Sequence, residues 1–138
     1  MIIDNSNSPI EFISVLDKAF IPYVSWKNNH EISRFLNGDS DLDIYIPLKY
    51  KKKFINLAVK NSWIVVVNPI ANFPHIEHLY LISDNGKVYH LHAYFKVITG
   101  ESWIKEFDLP MEDYLIDNRC KHDKYGVYVL NNKAQAYL

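Results

Sequence analysis

The stretch Asn37-Gly38-Asp39-Ser40-Asp41-Leu42-Asp43-Ile44-Tyr45-Ile46-Pro47 sets three aspartates at alternate positions behind a glycine and runs into apolar residues. Side chains alternate between the faces of a strand, so Asp41 and Asp43 point one way while Leu42 and Ile44 point the other. Gly38 leaves Asp39 in the turn. Two carboxylates held side by side repel unless they share a proton or bind a cation. Hard oxygen ligands at this spacing suit Mg²⁺ or Mn²⁺, and Mg²⁺ binds through one or two carboxylates plus substrate phosphates. Downstream, Val88-Tyr89-His90-Leu91-His92-Ala93-Tyr94-Phe95 puts His90 and His92 on one face. Imidazole suits Zn²⁺, Mn²⁺ or Fe better than Mg²⁺, and it can act as a general base near neutral pH. The candidate metal ligands are therefore Asp41, Asp43, His90 and His92. Plainer readings stand beside this one: a solvated strand edge whose acids are neutralised by lysines, and histidines that are ordinary core or edge residues. An EF-hand loop, which also opens D-x-D-x-D, is excluded. Counting from Asp39, its glycine position holds Ile44 and its final glutamate position holds Tyr50.

Other groups are less specific. Lys49, Lys51, Lys52 and Lys53 cluster at the start of a predicted helix, where the macrodipole disfavours cations. They read as an anion contact or as a solvated face. His75-Ile76-Glu77-His78 lacks the i, i+4 spacing of a helical zinc pair and falls on a predicted strand. Basic neighbours of Cys120 could lower its pKa, but no catalytic arrangement surrounds it and it reads as an ordinary thiol.

The elements that must position these residues follow from patterning. Ser8-Pro9-Ile10-Glu11 is a helix start with a capping serine and proline at the first position. Ile10, Ile13, Leu16 and Phe20 give a helical stripe, predicting a helix over Pro9–Phe20. Tyr23–Trp26 reads as a strand, Asn28–Leu36 as a helix stopped by Gly38, and Leu42–Ile46 as a strand stopped by Pro47. Phe54, Leu57 and Ala58 predict a helix over Lys49–Asn61. Trp63–Val67 is a continuous apolar run of the kind found in buried strands. Ile76–Ser83 and Lys87–Phe95 flank Asp84-Asn85-Gly86, a strong hairpin signal. Further on, a helix is expected over Pro110–Arg119, a strand over Gly126–Leu130 and another helix from Lys133 to Leu138. The order predicts an α/β (α+β) domain on a mixed sheet flanked by helices.

A chain of 138 residues with 49% hydrophobic and 14% aromatic content is sized for one domain with a real core. The expected organisation is a single domain over 1–138, with the open-ended last helix leaving room for an additional domain or partner. A formal net charge of −1 predicts no large global field, so any polyanion would meet a local patch. One cysteine excludes an internal disulfide. With no signal-like N-terminus and no apolar run long enough for a membrane span, the expected setting is cytoplasmic.

The segment Ser25-Trp26-Lys27-Asn28-Asn29-His30-Glu31-Ile32-Ser33-Arg34-Phe35-Leu36-Asn37-Gly38-Asp39-Ser40-Asp41-Leu42-Asp43-Ile44-Tyr45-Ile46 resembles the nucleotidyltransferase fold of the DNA polymerase β type. There a strand, a Gly-Ser turn and a helix precede an aspartate pair on the next strand. A bacterial nucleotidyltransferase-like branch is the nearest likeness, with Trp-Lys in place of Gly-Ser and a later segment like His90–Glu101. The resemblance covers about Tyr23 to Pro110. It implies that Asp41 and Asp43 carry Mg²⁺ or Mn²⁺ on the phosphates of an NTP; beside that, Lys27 reads as a phosphate contact or as an exposed helix-entry lysine, Ser40 as a nucleotide contact and His92 as a catalytic group. The implied reaction moves a nucleotidyl group to an acceptor, whether small molecule, sugar, protein or RNA, and releases pyrophosphate. Two departures matter: Trp26-Lys27 replaces the Gly-Ser turn, and His90 and His92 stand where a third carboxylate is expected. They leave open a catalytically degenerate nucleotide-binding or regulatory module, and a metal-dependent phosphohydrolase built on Asp41, Asp43, His90 and His92.

Overall fold

The computed structural model describes residues 8–26, 32–66, 75–96, 111–122 and 124–131. Their elements are α1 (Pro9–Lys18), β1 (Val24–Ser25), α2 (Ile32–Leu36), β2 (Asp41–Tyr45), α3 (Lys51–Lys60, entered through a 3₁₀ turn at Leu48–Tyr50), β3 (Ile64–Val66), β4 (Ile76–Ile82), β5 (Val88–Tyr94), α4 (Met111–Asp117), β6 (Arg119–Lys121) and β7 (Tyr128–Leu130). The strands form one seven-stranded mixed sheet in the order β3-β4-β5-β2-β1-β7-β6. β2 lies parallel to β5 and β1 parallel to β7, while the other neighbours are antiparallel.

Local chemistry explains most of these boundaries. The Ser8 hydroxyl caps α1 by accepting from the Glu11 N–H at 3.2 Å, and Pro9 takes the first turn. α2 ends in a Schellman motif: the Asp39 N–H donates to the Arg34 carbonyl and the Gly38 N–H to the Phe35 carbonyl. Gly38 adopts φ +80°, and a Cβ there would stand 3.4 Å from the Val88 carbonyl oxygen. A β-turn closes β4 onto β5, with Gly86 at φ +84° and its N–H donating to the Ser83 carbonyl.

The main core covers one sheet face. Phe12, Ile13 and Leu16 of α1, Ile32 and Phe35 of α2, and Phe54 and Ala58 of α3 pack on Leu42, Ile44, Leu79, Leu81, Leu91 and Ala93. Phe54 meets Phe12 and Phe95 at ring-centroid distances of 5.9 and 5.8 Å. Across the sheet, Leu115 of α4 closes a smaller cluster with Val24, Trp26, Tyr45 and Leu130.

Several expectations are corrected. α1 stops at Lys18, and Phe20 takes a left-handed turn (φ +57°) that leaves it 84% exposed. Phe12 fills the core position in its stead. The apolar run from Trp63 supplies an edge strand rather than a buried one. Ile64 and Val66 are 49% and 42% exposed because, among the described residues, β3 ends the sheet, and of this run Trp63 and Val65 turn toward the core. α4 ends at Asp117, and Arg119 begins the short strand β6, which pattern reading missed. Three residues pairing with β7 are too few to show a period. Residues 28–31 of the predicted second helix, Val67 and the helix expected over Lys133–Leu138 lie outside the described residues.

Candidate metal centre

β2 is the fourth strand of the seven, with β5 on one side and β1 on the other. The aspartate row is thus at the middle of the sheet, and the solvated-edge alternative is corrected. Leu42 and Ile44 anchor the strand in the main core, which turns Asp41, Asp43 and Tyr45 to the opposite face. Asp43 retains only 6% of its surface exposed. A buried carboxylate is costly unless paired and hydrogen-bonded.

The partner comes from β5. Parallel pairing sets Asp41 opposite His90 and Asp43 opposite His92, while β4 sets His78 opposite His92 and Tyr80 opposite His90. All of these side chains share the face opposite the main core. His92 Nδ1 lies 3.1 Å from Asp41 Oδ2 and 3.1 Å from Asp43 Oδ1. A carboxylate only accepts, so the His92 Nδ1–H donates to both. Among the described residues, its other nitrogen, Nε2, is buried without a hydrogen-bond partner. The Tyr94 hydroxyl hydrogen-bonds Asp43, and burial together with that carboxylate pushes the phenol well above its ordinary pKa.

The donors fall into two overlapping sets. Asp41, Asp43 and His92 each offer one ligand atom within 4.8 Å of the others, and so do His78, His90 and His92. His90 therefore belongs with the imidazoles. Its ring stacks on Tyr80 at 4.2 Å, and the His92 ring stands nearly perpendicular to it at 4.1 Å. Burial, then the neighbouring His92, lowers the His90 pKa to about 4, and the same two causes in the same order lower that of His78. Both are neutral imidazoles at pH 7, with a lone pair available.

The other sequence candidates are dispersed. Ser40 is half-buried just before β2, and its hydroxyl donates to the Asp41 carbonyl at 3.4 Å. Asp39 is exposed in the turn. Lys27 lies outside the described residues. The lysine run sits across the sheet from the carboxylates: Lys51 pairs with Glu77 at 3.6 Å, and Lys53 donates to the Ala19 carbonyl at 2.7 Å. Cys120 is exposed on the outer strand β6. His78 is the residue that sequence reasoning set aside. Its signal was present, because a strand alternating against His90 and His92 across a short hairpin brings His78 to the same face.

No family model, no curated protein and no solved structure matches the chain. Among the described residues no helix is long and apolar enough to cross a membrane.

Proposed function

We propose that the protein is a metal-dependent nucleotidyltransferase, moving a nucleotidyl group from an NTP to an acceptor. The observation that carries this reading is the convergence of Asp41, Asp43 and His92 on the central strand pair, with two carboxylate oxygens 3.1 Å from one imidazole nitrogen. Each carboxylate carries a second oxygen of the kind a hard cation prefers, and the Asp43 group also accepts from the Tyr94 hydroxyl. Asp41 and Asp43 would hold Mg²⁺ or Mn²⁺, which would supply charge neutralisation on the nucleotide phosphates; an acceptor oxygen attacks the α-phosphorus and pyrophosphate leaves. His92 takes the place of the third acid and orients the pair, while Lys27 and Ser40 are the proposed nucleotide contacts.

A second reading, a nucleotide-binding module without turnover, is favoured by the histidine standing where a third carboxylate is expected. One experiment covers both. A fluorescent ATP analogue is titrated with Mg²⁺ or Mn²⁺, and pyrophosphate release is followed from each NTP with candidate small-molecule, sugar, protein and RNA acceptors. The expected result is cation-dependent binding and pyrophosphate release, with Asp43→Asn lowering release by about 100-fold or more, since metal charge stabilisation is worth several kcal/mol. Binding without pyrophosphate selects the module. Orthophosphate as the first product selects phosphoester hydrolysis. Absence of nucleotide binding overturns both nucleotide readings.

A further inference from the structure

His78 of β4 and His90 and His92 of β5 form a donor set chemically distinct from the carboxylate pair. One ring nitrogen of each lies within 4.8 Å of the others. His78 Nδ1 and His90 Nε2 are 3.4 Å apart, a separation that matches the edge of a tetrahedron with Zn–N bonds of about 2.1 Å. A direct hydrogen bond between two neutral imidazoles uses one lone pair and one proton, whereas a cation between them takes a lone pair from each.

His92 supplies an independent observation. Its Nδ1–H is held by two carboxylates at 3.1 Å, while its Nε2 is buried and has no hydrogen-bond partner among the described residues. Metal-ligating histidines commonly show this pattern, with one nitrogen fixed by a carboxylate and the other left to coordinate. The carboxylates select the tautomer that bares the Nε2 lone pair.

We propose that His78, His90 and His92 bind a borderline divalent cation of the Zn²⁺ class through three imidazole nitrogens. In this arrangement Asp41 and Asp43 are positioning residues that act through His92 Nδ1 rather than ligands of that ion. Three nitrogen ligands leave a fourth position for water or an anion, the ligand number of a reactive rather than a purely structural zinc site. Borderline cations prefer imidazole and hard cations prefer carboxylate. The face therefore offers two adjacent positions of different selectivity that meet at His92. This inference does not depend on nucleotidyl transfer.

The test uses the full chain stripped by chelator and reloaded with one equivalent of Zn²⁺. X-ray absorption at the zinc edge counts imidazole ligands in the wild type. Three are expected; fewer than three overturns the proposal, and a single imidazole with carboxylate oxygens would place the ion on Asp41 and Asp43. Co²⁺ in place of Zn²⁺ should show the intense visible bands of a four-coordinate ion, and a weak six-coordinate spectrum counts against the site. His78→Gln, checked for folding by circular dichroism, should weaken Zn²⁺ binding more than about 100-fold, beyond the 10–100-fold typical of losing a group that only orients a ligand, such as Asp43→Asn. Wild-type zinc affinity in a folded His78→Gln protein sinks the idea. None of these readouts involves nucleotide, so failure of nucleotide binding and failure of the imidazole site are separately visible.

Discussion

Asp43 and His92 depend on each other. A carboxylate with 6% exposure in the middle of a sheet requires a donor, and the His92 Nδ1–H supplies one while also reaching Asp41. The imidazoles behind them carry the opposite constraint, because burial and then the neighbouring His92 oppose protonation. His90 falls from an ordinary 6.5 to about 4, and His78 also falls. Between those values the unfolded chain binds protons that the folded, metal-free protein excludes, so stability rises with pH there. Urea unfolding in chelator should show a midpoint that falls as pH is lowered from 7 toward 4. His90→Gln should flatten that dependence, and an unchanged slope in the variant would assign the effect to other groups.

At the scale of elements, the site rests on how β2 begins and what it pairs with. The Schellman stop at Gly38 turns the chain from α2 into β2, so that Leu42 enters the core and the aspartates face outward from it. Gly38→Ala combines a φ of +80° with a Cβ 3.4 Å from the Val88 carbonyl. It should cost about 1 kcal/mol or more, read by chemical denaturation. Because Val88 opens β5, the same change should disturb the Asp–His register and weaken metal binding by more than the stability loss alone explains. The parallel pairing of β2 with β5 is the other requirement, since a one-residue slip would send His90 and His92 into the main core.

Across the whole molecule, the sheet divides the work between its faces. One face is sealed by α1, α2 and α3, and the other holds the carboxylates and imidazoles beside the small α4 cluster. This division explains why the lysine run does not neutralise the aspartates: α3 carries Lys51, Lys52 and Lys53 on the opposite face, where Lys51 meets Glu77. Leu42, fully buried between Asp41 and Asp43, couples the two faces. Leu42→Ala should destabilise the protein by about 2–5 kcal/mol in urea unfolding. Loading with Zn²⁺ should recover part of that loss, because an ion bound only by the folded state stabilises it by mass action.

Much of the site was legible locally. Alternation along Asp41–Asp43 and along His90–His92 assigns each pair to one face, and Asp84-Asn85-Gly86 joins β4 to β5. Gly38 ends α2 where the dihedral demands it. Strand neighbours beyond the β4–β5 hairpin were not legible, because periodicity reports a face and not a partner. Trp63–Val67 reads as interior yet supplies the edge strand, while the acidic strand reads as an edge yet lies at the centre. The amino-acid sequence by itself determined which side chains share a face and where most elements stop, since both depend on bonds only a few residues long. Only the tertiary structure decided that β5 lies parallel to β2 and that His92 spans the two aspartates. Those placements depend on hydrogen bonding between strands up to about fifty residues apart, chosen by the burial of the core on the other face.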